Sequence, residues 1–229
     1  MTKQRDSKRG DKGETTRARI LDAALGLFRK KGFDDTTMRD IAKAADMSLG
    51  AAYYYFASKD AIVLAYYEKI ADDRARRTRK AFTKTTDLDE RVRAAFQLHL
   101  DVVRRDRKLL GALVRSVADP ASGTAVFSEA TRDVRENSIA LFREAVSVPA
   151  VPEELRDLGA VGLWTLDLAV MLYLVWDDSP KSARTGQLID DTLDMLLPMV
   201  PMLASPFGEP MRAQLEKTLS NAGLWPAGD

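Results

Sequence analysis

A run of small, hydroxyl-bearing and basic side chains between Thr36 and Lys59 combines residue types that bind phosphate. Serine and tyrosine hydroxyls donate hydrogen bonds to phosphate oxygens, and a lysine ammonium group neutralises their charge. Gly50 and Ala51 lie two and three residues after Ser48. Small residues let a backbone approach another molecule closely. These residue types predict a surface that binds phosphate groups.

The first element needed to position this surface is a short helix beginning after Thr37. The Thr37 hydroxyl is a helix N-cap, and Asp40 three residues later completes a variant of the capping box. The apolar residues that follow share one face at helical spacing: Ile41, Ala44 and Ala45.

A tight turn and a second short helix follow. Asp46 occupies the turn, because aspartate tolerates a left-handed backbone better than most residues other than glycine. Ser48 caps the second helix, which covers residues 49–56, begins with small residues and ends with aromatic ones. A helix-turn-helix of this form is suited to the major groove of DNA.

The whole stretch resembles the DNA-binding motif of the TetR (tetracycline repressor) family of bacterial transcription regulators. The matching positions keep the family's spacing without gaps: Gly32, Thr36-Thr37, Ile41-Ala42, Ser48, Gly50, Tyr53, Tyr55-Phe56 and Lys59-Asp60. Two positions depart from the pattern: Asp46 replaces the usual turn glycine, and Leu49 replaces an often polar or basic residue. The resemblance covers about the first quarter of the chain.

The resemblance implies an all-α fold with an N-terminal three-helix DNA-binding domain and a helical-bundle ligand-binding and dimerisation domain. We place a flexible tail at residues 1–14, the helix-turn-helix domain at 15–60 and the regulatory domain at 61–229. The expected function is that of a cytoplasmic, homodimeric repressor that binds a double-stranded operator and is released by a small, largely apolar molecule. No enzymatic activity, cofactor, metal or membrane partner is expected.

The residues expected to contact DNA comprise phosphate ligands and base contacts. Leu49 and Ala51 suit thymine methyl groups, which require no hydrogen bond, and Arg39 is a candidate for either a base or a phosphate. The full set is Thr37, Arg39, Ser48, Leu49, Gly50, Ala51, Tyr53, Tyr54 and Lys59. Other motif residues are better explained as core: Ile41, Ala45, Met47, Tyr55 and Phe56.

The charge distribution agrees with a basic N-terminal region. Among 229 residues the net charge is only +1, but residues 1–60 carry 13 Lys or Arg against 9 Asp or Glu, and the remainder carries 22 against 25. An excess of positive charge around the motif favours binding of phosphate. The sequence contains no cysteine, which excludes disulfides and thiol chemistry and permits a reducing cytoplasm.

The N-terminal segment leaves two interpretations open. Residues 1–14 are polar and mixed in charge, which is typical of a tail without regular structure. Alternatively they form an arm whose basic side chains reach the DNA backbone or minor groove: Lys3, Arg5, Lys8, Arg9 and Lys12. A first helix over 15–31, ended by Gly32, would brace the motif.

Helical periodicity dominates the rest of the chain, and no alternating pattern indicates strands. The predicted helices cover 58–80, 87–104, 108–118, 127–146, 152–176, 185–200 and 211–222. We interpret the basic end of the first of these as mostly a solvated face: Arg74, Arg76, Arg77, Arg79 and Lys80.

Residues 159–176 form the most apolar run, which we interpret as a buried helix and not a membrane span, because Asp167 lies near its middle. Asp167 pairs with an arginine across a dimer, binds a polar group of a ligand, or faces water. By the resemblance, the last two long helices pair with their copies in a second subunit. The expected interface residues are Leu166, Val170, Leu174, Leu188, Met195 and Met199.

A ligand site among the C-terminal helices is a further expectation from the resemblance. Its candidate residues are Phe96, His99, Leu113, Phe142, Trp164, Asp167 and Met171. His99 on an apolar face is either a buried, hydrogen-bonded residue or a ligand contact, and Trp164, Met171, Tyr173 and Trp176 are either core or pocket residues.

Catalysis has little support in the sequence. A glycine-rich phosphate loop, a zinc-protease helix and a nucleophile elbow are all missing from it, and His99 is its only histidine. The alternative function is an all-helical ligand carrier or scaffold with a vestigial helix-turn-helix. Leu49 keeps this alternative open, because leucine cannot donate a hydrogen bond to a base.

Overall fold

The computed structural model describes residues 3–225, with side chains described for residues 13–104, 106–107, 109–111, 113 and 118–225. These residues form helices and loops, and none of those described is in a β-strand. In chain order the helices are α1 (Lys3–Lys31), α2 (Met38–Ala44), α3 (Leu49–Tyr55), α4 (Lys59–Phe82), α5 (Leu88–Val103), α6 (Arg107–Ala118), α7 (Arg132–Val146), α8 (Glu153–Trp176), α9 (Ala183–Leu196), α10 (Val200–Ala204) and α11 (Glu209–Asn221). The predicted all-α fold is confirmed.

The helices divide into two compact units. Among the described residues, the first unit contains 3–69 and 108–132, and the second contains 70–107 and 133–225. The first unit therefore includes most of α6, which the sequence did not group with the motif helices. A compact unit need not coincide with a folding domain, so the domain boundary after residue 60 stays a prediction.

The core of the first unit holds α2 and α3 in place. Helix α2 contacts both α1 and α3. Three residues on one face of α1 are fully buried: Ile20, Ala24 and Phe28. Removing such side chains from water supplies much of the stability of a small helical unit, and it fixes the orientation of the short α3, which has too few residues to be stable alone.

Helix α1 begins at Lys3 and so extends through residues that we predicted to be a tail. A helix that is already nucleated and packed further along the chain propagates at little cost, which explains the longer helix. The proposed N-terminal arm consists of Lys3, Arg5, Lys8, Arg9 and Lys12, whose side chains are outside the described ones, and their contact with DNA stays a prediction.

The second unit is a helical bundle in which α9 contacts α5 and α8, and α11 contacts α8 and α10. One face of α5 is buried: Val92, Ala95, Phe96, Leu100 and Val103. Buried residues of α7, α8 and α9 complete this core, including Phe142, Val161, Leu174, Ile189 and Leu193.

Helix α8 differs from the fully buried helix that we expected. By length and composition it is the one helix among the described residues that could cross a membrane, but only 44% of its most apolar window is buried, and core helices pass the same test. Its exposed side is still apolar, with Leu172 54% and Trp176 78% exposed. An apolar face left uncovered on a core helix marks a contact surface.

Candidate functional site

The start of α2 has the predicted capping box. The backbone amide of Asp40 donates to Thr37 Oγ1 (3.1 Å), and the amide of Thr37 donates to Asp40 Oδ2 (2.9 Å). Lys31 Nζ also donates to Asp40 Oδ2 (2.8 Å). The hydrogen bond from Lys31, followed by those from Thr37, holds the pKa of Asp40 well below its usual range. The carboxylate is therefore ionised at neutral pH and ties the end of α1 to the start of α2.

The turn between α2 and α3 uses a left-handed aspartate, as predicted. Asp46 has φ 52°, and the next amide, that of Met47, donates to Ala42 O (2.9 Å). Ser48 then caps α3, because its Oγ accepts a hydrogen bond from the Ala51 amide (3.1 Å). The turn therefore forms without the glycine that is usual in the resembling family.

Helix α3 presents a polar, aromatic surface. Tyr54 is 85% and Tyr53 is 49% exposed, while Ala52 and Phe56 are buried and anchor the helix. Apart from its chain neighbours and its own helix backbone, no described atom lies within 4 Å of the position that a Cβ would take at Gly50, so packing does not require glycine there. Because glycine is less favourable than alanine inside a helix, its presence on an open surface suits close approach of another molecule.

Arg39 and Leu49 border one surface depression between α2 and α3, which Lys43 and Asp46 also line. Arg39 is exposed and Leu49 is half-buried. The predicted DNA-contact residues that the structure leaves exposed are Thr37, Arg39, Ser48, Gly50, Tyr53 and Tyr54, and Ala51 is half-buried. Of the motif residues assigned to the core, Ile41, Ala45 and Phe56 are buried, whereas Met47 and Tyr55 are half-buried.

Lys59 has a structural contact that the sequence did not reveal. Its Nζ donates to Phe33 O (2.7 Å) and to Asp34 O (3.2 Å), and it lies 4.4 Å from the centre of the Phe33 ring. Two of its three N–H groups thus hold the loop between α1 and α2. Contact with a phosphate through the remaining N–H stays a prediction.

Replacing Lys59 with methionine should lower the free energy of unfolding by about 1–2 kcal/mol, because the substitution removes two hydrogen bonds from a charged donor at a partly exposed site. Urea unfolding followed by circular dichroism measures this change. Lys43→Met is the matched control, since Lys43 is exposed at the end of α2. Equal stability of the two variants would contradict the loop-holding role of Lys59.

A buried polar cluster, here called the Arg74 cluster, consists of Arg74, His99 and Asp167 in the second unit. Arg74 Nη1 donates to Asp167 Oδ2 (2.9 Å), and His99 Nδ1 lies 2.9 Å from Asp167 Oδ1. Arg74 is 3% exposed and its guanidinium carbon lies 4.8 Å from the centre of the Phe142 ring. The sequence left three alternatives for Asp167: an arginine across a dimer, a ligand or water. The observed partner is an arginine, but it belongs to the same chain.

The charges in this cluster follow from burial and proximity. Burial alone would raise the pKa of Asp167, but the charge of Arg74 and the contacts with His99 bring it below its ordinary value. Burial, and then the charge of Arg74, lower the pKa of His99 against the opposing effect of Asp167. At neutral pH the histidine is therefore neutral, and its Nδ1–H, assigned from the hydrogen bond, donates to the carboxylate.

Arg74 of this cluster and the nearby Thr78 have buried polar atoms without partners among the described residues. Arg74 Nε and Nη2, and the hydroxyl of Thr78 one turn later, have no hydrogen-bond partner among the described residues. Such groups are rare in native proteins and usually mark a bound water, ion or ligand. The sequence analysis missed Arg74 by placing it on a solvated face. The available signal was its spacing of four residues from Ile70 and from Thr78 on the buried side of α4.

The predicted ligand-binding residues do not all lie in the same unit. The structure joins His99 with Asp167, and the Phe96 and Phe142 rings pack with centres 5.2 Å apart. Leu113 instead belongs to the first unit. Trp164 is buried and Met171 is half-buried.

The predicted interface residues also separate into two groups. Val170 and Leu174 are buried inside their own chain, so their prediction as interface contacts is wrong. They lie on the side of α8 that faces the core, opposite the exposed stripe Gly162, Thr165, Ala169, Leu172 and Trp176. Leu188 and Met195 are exposed on α9, while Leu166 and Met199 are half-buried.

Comparison with known proteins shows which proteins share the N-terminal helix-turn-helix. A family model for bacterial regulatory proteins of the tetR family matches residues 20–66. An uncharacterized HTH-type transcriptional regulator, YuxN of Bacillus subtilis, is 44% identical over 54 residues, which are 22% of this chain and 19% of YuxN. The HTH-type transcriptional activator FasR of Mycolicibacterium smegmatis is 32% identical over 90 residues, which are 39% of this chain and 41% of FasR. The matches therefore span less than half of either relative.

The similarity of fold extends further than the similarity of sequence. A solved structure of Thermus thermophilus FadR, a TetR-family transcriptional repressor in complex with lauroyl-CoA, aligns with a TM-score of 0.55 at 23% identity. The alignment covers 79% of this chain and 93% of that one. It includes helices beyond the N-terminal motif, so the C-terminal helices share the fold as well.

Proposed function

We propose that this chain, which belongs to the TetR family of bacterial regulatory proteins, is a homodimeric transcriptional repressor released from its operator by a small, largely apolar molecule. The observation that carries the proposal is the capped α3 with its exposed hydroxyls and open Gly50. Such a helix reads a major groove while its flanks contact phosphates. We expect this activity in the cytoplasm.

The proposed contacts follow from what α3 leaves accessible. Tyr53 and Tyr54 donate to phosphate oxygens, and the Gly50 backbone approaches the groove closely. Leu49 and Ala51, both half-buried, supply apolar contacts that suit thymine methyl groups. Base specificity in this motif then depends on shape and methyl contacts together with Arg39.

Replacing Tyr54 or Arg39 with alanine should weaken operator binding by roughly 10-fold or more per variant without loss of fold, because each substitution removes a contact worth about 1–3 kcal/mol. Both side chains are exposed on the surface that would face the DNA. The operator is first selected from a randomised duplex library and compared with DNA upstream of the chain's own gene. Affinity is then measured by fluorescence anisotropy.

Arg77→Ala is the matched control, because it removes the same charge from α4 at a residue paired with Asp73 of its own helix. We expect its operator affinity to equal that of the unsubstituted chain. A carrier or scaffold with a vestigial motif would select no sequence from the library, and substitutions at Tyr54 and Arg39 would change nothing. That result would contradict the proposed repressor.

The proposed dimer uses the exposed apolar stripe of α8. Its residues recur every three or four positions, which is the spacing of a helix face that packs against another helix. The exposed Leu188 and Met195 of α9 extend this apolar surface. A second copy of the chain that covers both helices would form a four-helix interface, as the family resemblance implies.

Leu172→Glu should convert the dimer to a monomer, because a charge buried without a partner at a helix interface is strongly unfavourable. Sedimentation velocity measures the change in mass. The control is Phe127→Glu, which places the same charge at an exposed apolar residue in the first unit. A mass that does not change in Leu172→Glu would place the interface elsewhere.

Release by an effector requires a connection between the two units, and α4 supplies one because its residues 59–69 belong to the first unit and its residues 70–82 to the second. An effector bound in the second unit would shift α4 and so change the separation of the two motifs in the dimer. Half-sites about 34–36 Å apart tolerate little change in that separation. The complex of FadR with lauroyl-CoA supports an effector that carries a long apolar chain.

A further inference from the structure

We propose that the effector carries an uncharged carbonyl group whose oxygen accepts hydrogen bonds from Arg74 and Thr78 in the second unit. The inference rests on the proposed function for the role of the bound molecule as an effector. The site itself is inferred from unpartnered donors and can be tested without DNA.

The first observation is the unused edge of the Arg74 guanidinium. Asp167 takes the hydrogen bond from Nη1, and Nε and Nη2 are buried without a partner among the described residues. Nε–H and one N–H of Nη2 lie in one plane and point the same way, which forms a two-pronged donor. Buried donors in this arrangement destabilise the empty protein and favour any acceptor that reaches them.

The second observation is a donor of a different type one helical turn away. Thr78 is fully buried, and its hydroxyl, like the Arg74 edge, has no partner in the described part of the chain. It does not bond to the carbonyl four residues earlier, as threonine hydroxyls in helices often do. Arg74 and Thr78 thus present several donors on the same side of α4.

The charge of the cluster decides between an anion and a neutral acceptor. Asp167 already balances the charge of Arg74 with an N–O distance of 2.9 Å, and His99 donates to the same carboxylate as a neutral group. A second carboxylate would therefore be buried without a counter-ion, which is costly. A carbonyl oxygen satisfies the same donors without adding charge.

The aromatic rings beside Arg74 favour an apolar chain on the rest of the effector. The Phe142 ring lies against the Arg74 guanidinium, and the Phe96 ring packs on Phe142. Both rings are fully buried. A carbonyl compound with an aliphatic chain, such as an ester or a thioester, matches one donor-rich point beside an apolar core.

Three series of probes test the site on the full chain by isothermal titration calorimetry. The probes are straight-chain methyl esters from butanoate to dodecanoate, alkyl methyl ethers of equal length that lack the carbonyl, and the corresponding carboxylates. We expect the best ester to bind roughly 10-fold or more tightly than its ether and its carboxylate at neutral pH, because only the ester supplies a strong uncharged acceptor.

Two variants identify the donors. Arg74→Lys keeps a positive charge for Asp167 but lacks the two-pronged edge, and we expect roughly 10–100-fold weaker ester binding. Thr78→Val keeps the shape, removes the unpaired hydroxyl and should weaken ester binding roughly 3–10-fold with an unchanged or higher melting temperature. Thr218→Val, on the exposed α11, is the matched control and should bind the ester as the unsubstituted chain does.

Three results would overturn the proposal: tighter binding of the carboxylate than of the ester, binding of no ester, or unchanged ester affinity in both variants. The last would mean that a buried water satisfies these donors. Operator binding is measured separately without any probe. If the chain binds no operator but binds the ester through Arg74 and Thr78, the repressor function fails and the carbonyl site stands.

Discussion

Replacing Asp167 with alanine is expected to lower the free energy of unfolding by about 3–5 kcal/mol, the cost of leaving one member of a buried ion pair alone. Arg74 is 3% exposed, and Asp167 accepts its one charged hydrogen bond among the described residues. Without the carboxylate, the guanidinium charge remains in a core beside Phe142, and His99 loses its acceptor. Urea unfolding followed by tryptophan fluorescence reports this change, since Trp164 lies on the same helix as Asp167.

The double variant Arg74→Met with Asp167→Leu separates the cost of a missing partner from the net contribution of the pair. Replacing both members of a buried ion pair with apolar residues of similar volume is often neutral or stabilising, so we expect the double variant to regain most of the stability. Asp190→Ala serves as a surface control, because its pair with Arg93 is partly exposed and should contribute no more than about 1 kcal/mol. A destabilisation in Asp167→Ala no larger than in this control would refute the importance of the buried pair.

The same pair gives stability a definite dependence on pH. Because the pKa of Asp167 is lower in the folded chain than its ordinary value near 3.9, its contribution is fully present above about pH 4 and is lost as the pH falls through the folded-state value. The melting temperature should therefore fall in acid less steeply for the double variant than for the unsubstituted chain.

The DNA-binding motif could be predicted from the sequence because its determinants are local. The hydrogen bonds of Thr37 with Asp40 and of Ser48 with Ala51 span three residues each, and the turn at Asp46 depends on its own backbone. Short-range patterns of this kind are visible in the printed sequence. Helix α2 accordingly begins directly after Thr37, and α3 ends one residue before the predicted end at Phe56.

The contacts that the sequence did not reveal join residues that are far apart in the sequence. Arg74 and Asp167 are separated by 93 residues, and Lys59 and Phe33 by 26. The spacing of Arg74 from Ile70 and Thr78 is a weak local signal, and it does not show whether other helices cover that side of α4. The interface prediction failed at Val170 and Leu174 for the same reason, since a helix that is apolar on every side does not indicate which side faces its own core.

The salt dependence of operator binding is the second large effect that we expect. Affinity for the selected operator should fall by about 10³–10⁵-fold between 50 and 200 mM salt, as for proteins that make several phosphate contacts and release counterions from DNA. The candidate charged contacts on each subunit are Arg39, Lys59 and the basic residues of the proposed N-terminal arm, Lys3, Arg5, Lys8, Arg9 and Lys12. Each contact occurs twice in a dimer, so about three to five charged contacts per subunit would neutralise the roughly 6–10 phosphates that give this dependence.

The slope of this dependence distinguishes charged contacts from neutral ones. Arg39→Ala should reduce the slope of log affinity against log salt by about one for each phosphate that the arginine neutralises, whereas Tyr54→Ala should weaken binding with little change of slope, because a hydroxyl displaces no counterion. A scrambled duplex of equal length separates sequence-dependent affinity from general attraction to DNA. A flat salt response for the selected operator, or equal affinity for the scrambled duplex, would mean that the exposed face of α3 does not read DNA, and the carrier function would then be the better explanation.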